Sequence, residues 1–535
     1  MRKKAYIILG FLTFIFLSLH LYVHASESKF IKIEKGSLGE NIYVINTNYT
    51  SKLEEDYQKE VDRKIEKKIG KGNYTFENPL ILYNPYGTNT LSINIYFESE
   101  DPVTLSYIIK VEGTEDFERT LYEEETLNHN LQVIGLVPEK KNTILLTITH
   151  EDGKIETKEV QIDVPSLDTK TNMEMNIIEG ESTEEMSEGL FAVLGHDKNF
   201  NANIYLFDNT GTIRSELVLN SYRADRLIWV NGYILYPSSK QDLILVNREG
   251  KIVKQYHLDN YEMHHDLQYD EKNGKIVILA NRKEDSTIED RVISLDLETS
   301  EVSELLNLKD FLKEPYKKAK MPSEGKNAYG GTELDWVHLN SIELVGEDVI
   351  LSSRELSTII KINSIYKNPT LSYLIADPSV YENTTLQNKL LIKKGDFVDS
   401  AGQHSLVYEK GENDTYYLSF YNNNYKGADT RPTFDWSAYP ETGSYSEGEK
   451  SMYYKYQINE KDGTYELITS LDLPYSSIVS SVQNYQNHII TSSGKSNEFR
   501  EYDSQNKLIR SFVYEAETYA YRVFKYDFNN FWFIP

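Results

Sequence analysis

The chain has 535 residues, too many for one ordinary domain, so two or three are expected. Its net charge is −26, from 57 Lys and Arg against 83 Asp and Glu, which argues against a nucleic-acid partner because phosphates need a basic footprint. There is no Cys, which excludes disulfides, thiolate chemistry and Cys-ligated metals, while 41 Tyr and 20 Phe favour strands over helices.

Arg2, Lys3 and Lys4 precede an apolar run over 5–19, and Val23-His24-Ala25 offers modest or small residues where signal peptidase reads. This predicts a signal peptide over 1–25 cut after Ala25. The alternative is an uncleaved anchor, since the run extends to Val23. Either places the protein outside the cytoplasm, secreted or membrane-anchored at the cell surface.

The next region, 26–164, opens with a helical pattern. Leu53, Tyr57, Val61, Ile65 and Ile69 recur every four residues, a narrow stripe suited to packing against a neighbour. From 78 to 164 alternating strands are punctuated by Pro79, Pro85, Pro102 and Pro138, which predicts a small β-sandwich. It holds no cluster of catalytic residue types, so its expected role is structural or in assembly. A homodimer through this helix or the sandwich is left open. Residues 165–185 are polar and unpatterned and read as a linker.

From 186 to 535, strand pairs and polar turns repeat as six units of about four strands, interrupted by insertions at 309–335, 376–400 and 422–450. Radial repetition of four-stranded units is the signature of a β-propeller. The expected fold is all-β, a six-bladed β-propeller preceded by a small N-terminal β-sandwich. The apolar stretch at 519–533 is placed to add a strand to the first blade and close the ring.

Three consecutive units open on histidine: His264-His265-Asp266, His338-Leu339-Asn340 and Gln403-His404-Ser405. Their second strands end in Asn281-Arg282, Ser353-Arg354 and Tyr421-Asn422. The start of one antiparallel strand lies beside the end of the next, so these groups are expected around one mouth. The other three units carry Phe191, Leu227 and Val479 or Ser480 there, so the fold itself does not demand histidine. A single His opening a strand is ordinarily a local hydrogen-bond satisfier. His264 and His265 face opposite ways, and the pattern does not fix which one points inward. Such a cluster suits three chemistries: a metal site, which the fixed charge of Arg354 opposes; passive anion binding; or nucleophilic attack by an imidazole with its neighbours stabilising an oxyanion. A sulfate or phosphate ester suits the third.

The segments Met263-His264-His265-Asp266, Asp335-Trp336-Val337-His338-Leu339-Asn340-Ser341-Ile342, Ser352-Ser353-Arg354 and Gly402-Gln403-His404-Ser405 resemble the bacterial aryl-sulfate sulfotransferases, which do not use a nucleotide sulfate donor. The resemblance covers nearly the whole mature chain. It implies an extracytoplasmic enzyme with a sandwich followed by a six-bladed propeller, and some relatives carry a disulfide that this chain cannot form. It also implies ping-pong transfer of a sulfuryl group from a phenolic sulfate donor to a phenolic acceptor, with no metal or other cofactor. His404 would be the nucleophile and carry a transient sulfohistidine. Arg354, His338 and Asn340 would hold the sulfuryl oxygens, and His265 would act as acid or base on the phenol. His264 and Asn422 stand beside these as candidate substrate contacts. Tyr329, Trp336, Tyr421 and Trp436 are candidate aryl-ring contacts. The rival readings are a metal-dependent propeller hydrolase or lactonase and a non-catalytic ligand-binding propeller.

Overall fold

A computed structural model describes residues 29–167, 174–195, 201–412, 414–516 and 518–535. The expected signal segment lies outside them. Among the described residues no helix is long and apolar enough to cross a membrane.

The N-terminal region folds as two facing sheets. One has the strand order Ile31–Lys35, Ile42–Thr47, Leu80–Tyr83, Ser92–Glu98, Asn128–Ile134; the other runs Phe117–Thr120, Val103–Lys110, Lys141–His150, Ile155–Asp163. Alternation dictates the packing: Ile81, Ile93, Ile95 and Phe97 join Leu105, Tyr107, Ile144 and Leu146 in the core between the sheets. Their neighbours Leu80, Leu82 and Tyr96 face the other way and receive Tyr57, Val61 and Ile65. Those three belong to the helix Glu55–Ile69, whose apolar stripe is thereby consumed. Its first turn carries Glu55 and Asp56 and its last Lys67 and Lys68, complementing the helix dipole. Leu53 precedes the helix and is buried separately in the inter-sheet core.

Among the described residues six larger sheets follow, each with four antiparallel strands read outward from an inner one; blades five and six carry a fifth, outermost strand, which in blade five is Ile392–Lys394 and pairs in parallel. Blade one is built from Arg522–Tyr526, Leu190–Leu194, Ile204–Phe207 and Ile213–Leu217. Blades two to six have the inner strands Ile228–Val230, Tyr261–Asp270, Leu339–Val345, His404–Lys410 and Ser481–Tyr485. Each sheet is covered on both faces by its neighbours, so its strands are apolar on both faces. In blade three, Ile276 and Ile278 pack toward Leu235, Leu243 and Leu245 of blade two, whereas Val277 and Leu279 pack toward Ile342, Leu351 and Ile360 of blade four.

The ring closes as expected from 519–533: Arg522–Tyr526 pairs antiparallel with Leu190–Leu194. This corrects one register. Phe191 lies on the second strand of blade one, and Arg522, not Phe191, lies on the innermost strand. The linker expectation over 165–185 is corrected too, because Met175–Glu179 pairs with Leu508–Tyr514 as an extra outer strand of blade six.

Neighbouring inner strands are clasped by side chains. The Ser341 hydroxyl and Ile342 N–H donate to Asp266 Oδ2, and Leu406 N–H donates to Ser341 Oγ. Val482 N–H donates to Ser405 Oγ, and Val523 N–H to Ser481 Oγ. The Tyr526 hydroxyl meets Leu227, and Arg226 Nε donates to Asp266 Oδ1, which completes the circle. These bonds align Asp266, Ser341, Ser405, Ser481 and Arg522 as one position in the repeat. The residue before it is His265, Asn340, His404, Ser480 or Tyr521. Asn340 is therefore the counterpart of His265 and His404, and His338 stands two residues earlier.

The sandwich and propeller share a junction made by the C-terminal tail. Phe528, Phe531, Trp532 and Phe533 join the core that runs from the sandwich into blades one and two. Trp532 Nε1 donates to Gln132 Oε1 at 3.1 Å, and Tyr122 N–H donates to the Trp532 carbonyl at 2.9 Å. Trp532→Ala should destabilise the protein by about 3–5 kcal/mol, the cost of emptying a buried aromatic site. The check is the urea unfolding midpoint, and an unchanged midpoint would remove the tail from the account of the junction.

Candidate active site

The inner strands enter the centre through bulges. Register shifts fall between Met263 and Leu267, between Leu339 and Ser341, and between His404 and Val407. Non-glycine residues take positive φ at or just before these bulges, at His265 (62°), His338 (48°) and Ser405 (61°), and so does Ser480 (87°), just ahead of the inner strand of blade six. Such conformations cost energy and re-aim side chains, here off the sheet faces and toward the axis.

His404 is 2% exposed. Its Nδ1 lies 2.8 Å from Asn423 Oδ1 and 3.0 Å from the Gly402 carbonyl. Gly402 has φ 68°, which lets its carbonyl turn back toward the ring two residues on. Both partners only accept, so Nδ1 carries the hydrogen and Nε2 presents a lone pair. Burial holds the ring well below the ordinary histidine range; the Asn423 hydrogen bond opposes this, while the charges of His338, Arg354 and Arg522 push the same way as burial. His404 is neutral at neutral pH.

His338 is in the opposite state. Its Nδ1 donates to Asp335 Oδ2 at 2.6 Å, and Glu289 Oε2 lies 2.5 Å away, off the hydrogen-bond direction. Burial and Arg354 oppose its charge, but Asp335 and Glu289 outweigh them and push it up to about 9. It is an imidazolium at neutral pH. Glu289 is held below the usual carboxylate range: burial opposes its ionisation, but His338 dominates. The Arg354 N–H donates to the His338 carbonyl at 3.1 Å, so the hairpin places the two residues side by side. Arg354 Nη2 is 3.6 Å from Asp335 Oδ2, while its buried Nε has no partner.

His264 and His265 both belong to the cluster. Their Nδ1 atoms are 2.9 Å apart, so one donates to the other. Burial lowers both, His264 to about 4. The His265 ring contacts those of His338 (5.0 Å between centroids) and Tyr521 (5.3 Å). His264 lines a cavity of about 870 Å³ together with Tyr222, Arg223, Glu289, Tyr329 and Tyr519. That volume suits a drug-sized organic molecule.

Other expected contacts are reassigned. Asn422 does not face a substrate: its Oδ1 accepts from Ala401 N–H and Asn424 N–H, and its Nδ2 donates to Asn424 Oδ1. The neighbouring Asn423 reaches the site instead. Asn340 Nδ2 donates to the Gln403 carbonyl at 2.8 Å, leaving Oδ1 buried and unpartnered. Trp336 is fully buried, with Nε1 on Asp290 Oδ2, and the Tyr421 hydroxyl is held by Pro474 and Ser493, so both are packing residues. Trp436 packs edge-on against Phe434 and at a steep tilt against Tyr439 within its own loop. Tyr329 does line the cavity, nearly parallel to the His338 ring at 6.3 Å.

Sequence reasoning missed Glu289, Asn423, Tyr521, Arg522 and Arg223. Arg522 Nη1 is 3.0 Å from Asp266 Oδ1, and its Nη2 donates to the Asn340 carbonyl at 2.8 Å, spanning the axis from blade one to blades three and four. Its signal was the closing strand itself, once that strand is placed innermost. Glu289 lies in a turn and carries no pattern.

Among the described residues two groupings bring three metal-type ligands within 4.8 Å: His264, His265 and Glu289, and Glu289, Asp335 and His338. The carboxylate common to both already faces the His338 imidazolium, and Arg223 and Arg354 stand beside them. That field favours an anion over a cation.

The family described as Arylsulfotransferase (ASST) matches residues 176–527, more than half of the chain, and the Arylsulfotransferase Ig-like domain matches 80–165. The chain belongs to the arylsulfotransferase family. It is a sulfotransferase, and phenolic compounds are the substrates this membership implies. No curated protein sequence matches it. Among solved structures it is similar to a putative 6-phosphogluconolactonase from Bacteroides uniformis, at 10% identity and a TM-score of 0.36, over 79% of this chain and 99% of that one. It is also similar to apo AztD from Citrobacter koseri, at 10% identity and a TM-score of 0.27, over 79% and 98% of the two chains.

Because His338 is charged below about 9 and neutral above, kcat/KM for aryl sulfate turnover should fall as pH rises through about 9. With His404 and His265 already neutral, no acid limb should appear near pH 6.5. Glu289→Gln removes one of the two carboxylates that hold the proton on His338, so its alkaline limb should move to lower pH. An unmoved limb in that variant would detach His338 from the profile.

Proposed function

We propose that the protein moves a sulfuryl group from a phenolic sulfate ester to a second phenol by a ping-pong route through sulfohistidine at His404. The observation that carries this reading is the state of His404. Asn423 and Gly402 accept from its Nδ1, so an unprotonated Nε2 is available beside the two cations Arg354 and His338.

In the first half, the Nε2 lone pair attacks sulfur and the sulfur–phenoxide bond breaks, its electron pair leaving with the phenoxide. The phenoxide takes its proton from solvent. The ring then carries a sulfuryl group on Nε2 and a hydrogen on Nδ1, and the two carbonyl oxygens receive the increased positive charge on that hydrogen. Arg354, whose buried Nε is unpartnered, and the His338 imidazolium are the donors for the sulfuryl oxygens. Asn340 stands beside them with one amide hydrogen already committed to Gln403. In the second half, neutral His265 accepts the proton of the acceptor phenol, whose oxygen attacks sulfur and frees His404. Tyr329 and Tyr519 line the space for the aryl groups. The basic and apolar pattern over 1–25 supports an extracytoplasmic site of action.

Incubation with a chromogenic aryl sulfate and no acceptor should leave a sulfuryl adduct on His404, detected by peptide mass spectrometry and discharged by added phenol. His404→Ala should reduce transfer by more than about 1,000-fold. Arg354→Lys should lower kcat by about 100- to 1,000-fold, as when one oxyanion donor is lost. Wild-type turnover in His404→Ala, or an adduct on another residue, would sink the assignment. The rival of a metal-dependent hydrolase rests on the His264, His265 and Glu289 grouping. It requires activity that chelator removes and added metal restores.

A further inference from the structure

We infer that Asn423 is the positioning residue that, as the closer of two acceptors, the other being the Gly402 carbonyl, selects the tautomer of His404, holding the hydrogen on Nδ1 and thereby leaving Nε2 free to attack. This deepens the reading of His404 as nucleophile and rests on it.

Asn423 follows the second strand of blade five, Thr415–Asn422, and is fully buried. Its Nδ2 donates to the Ser476 carbonyl at 2.7 Å and to the Val479 carbonyl at 3.1 Å. Both carbonyls lie in the segment entering blade six. They accept from both amide hydrogens, so the oxygen of the amide must be the end that faces His404. A flipped amide would set its single oxygen against both carbonyl oxygens. An amide oxygen cannot donate, so the hydrogen in the 2.8 Å contact belongs to His404 Nδ1. The Ser451 hydroxyl donates to the Asn423 carbonyl at 3.1 Å and further fixes the backbone.

The neutrality of this partner matters as much as its geometry. His338 has the carboxylate of Asp335 at the equivalent nitrogen and is an imidazolium, whereas His404 has an amide and stays neutral. A carboxylate beside His404 would orient the ring equally well but would stabilise its proton on Nε2. That proton would have to leave before attack. An amide orients the ring without adding this step.

Three variants test the inference through chemistry rather than stability. In Asn423→Ala, the first-half rate, read as the single-turnover burst of phenoxide, should drop by at least about 10-fold. Nitrogen NMR of labelled histidine should show His404 shifting from one tautomer to a mixture. In Asn423→Asp, the tautomer should be kept while the pH–rate profile gains an acid limb that the parent enzyme lacks. A purely structural role would change neither the tautomer nor the shape of the profile. A single Nδ1–H tautomer and a parental burst in Asn423→Ala, or no acid limb in Asn423→Asp, would overturn the inference. His404→Ala separates the two levels. If it is inactive while Asn423→Ala behaves as parent, only the role of Asn423 fails; if it remains active, the nucleophile assignment fails first.

Discussion

The site depends on the way each inner strand is clasped to the next. Ser341, Ser405 and Ser481 each bond a backbone group of the following blade, while Asp266 receives Ser341 and Ile342. A propeller blade held only by apolar packing against its neighbours could slide along the axis by a fraction of a residue at modest cost. A directional bond to a single N–H removes that freedom. Because each clasping residue directly follows the one aimed at the centre, the same bonds fix the heights of His265, Asn340, His404, Ser480 and Tyr521. Arg522 adds a brace across the axis, joining Asp266 to the Asn340 carbonyl.

That rigidity answers an electrostatic problem. Arg354, the His338 imidazolium and Arg223 are gathered in a centre where burial opposes each charge. Three carboxylates offset them: Glu289 and Asp335 around His338, and Asp225 2.8 Å from Arg223. The compensation is incomplete where it matters, because Arg354 Nε is left without an acceptor. An unpartnered buried donor is costly, and an anionic group placed against it would recover that cost. On the proposed function, that recovery would help to hold a sulfate ester beside Arg354.

The fold was legible in the sequence because its signals are local. Turn residues separate runs of four to eight apolar or alternating residues, and repetition of that spacing gives the propeller; Pro-punctuated strands give the sandwich. The site was legible only in part. Reading the strands as regular equated His338 with His265 and His404, but the bulges insert residues, and Asn340 is the true counterpart. Positive φ at His265 and Ser405 leaves no trace in composition, since glycine does not mark these positions. Asn422 and Asn423 differ by one residue at a strand end, where side-chain direction alternates, so choosing between them needed the exit path of the chain. Glu289 reaches His338 from a turn in another blade, and no pattern around it predicts that contact.

His338 and His404 also show what separates two identical side chains in one centre. Both are buried to within 2% of full coverage, and both donate from Nδ1. Desolvation alone would neutralise both rings. Asp335 and Glu289 reverse that outcome for His338, whereas Asn423 and the Gly402 carbonyl do not for His404. The difference is the charge of the acceptor rather than its distance, since the two Nδ1 contacts are 2.6 and 2.8 Å. The proposed transfer from an anionic donor would use both states at once, a cation to hold the sulfuryl oxygens and a free lone pair to attack sulfur. Exchanging the acceptors would leave the geometry almost intact and place the proton on the wrong ring. The difference in charge between the two rings therefore resides in Asp335, Glu289 and Asn423 as much as in the histidines they hold.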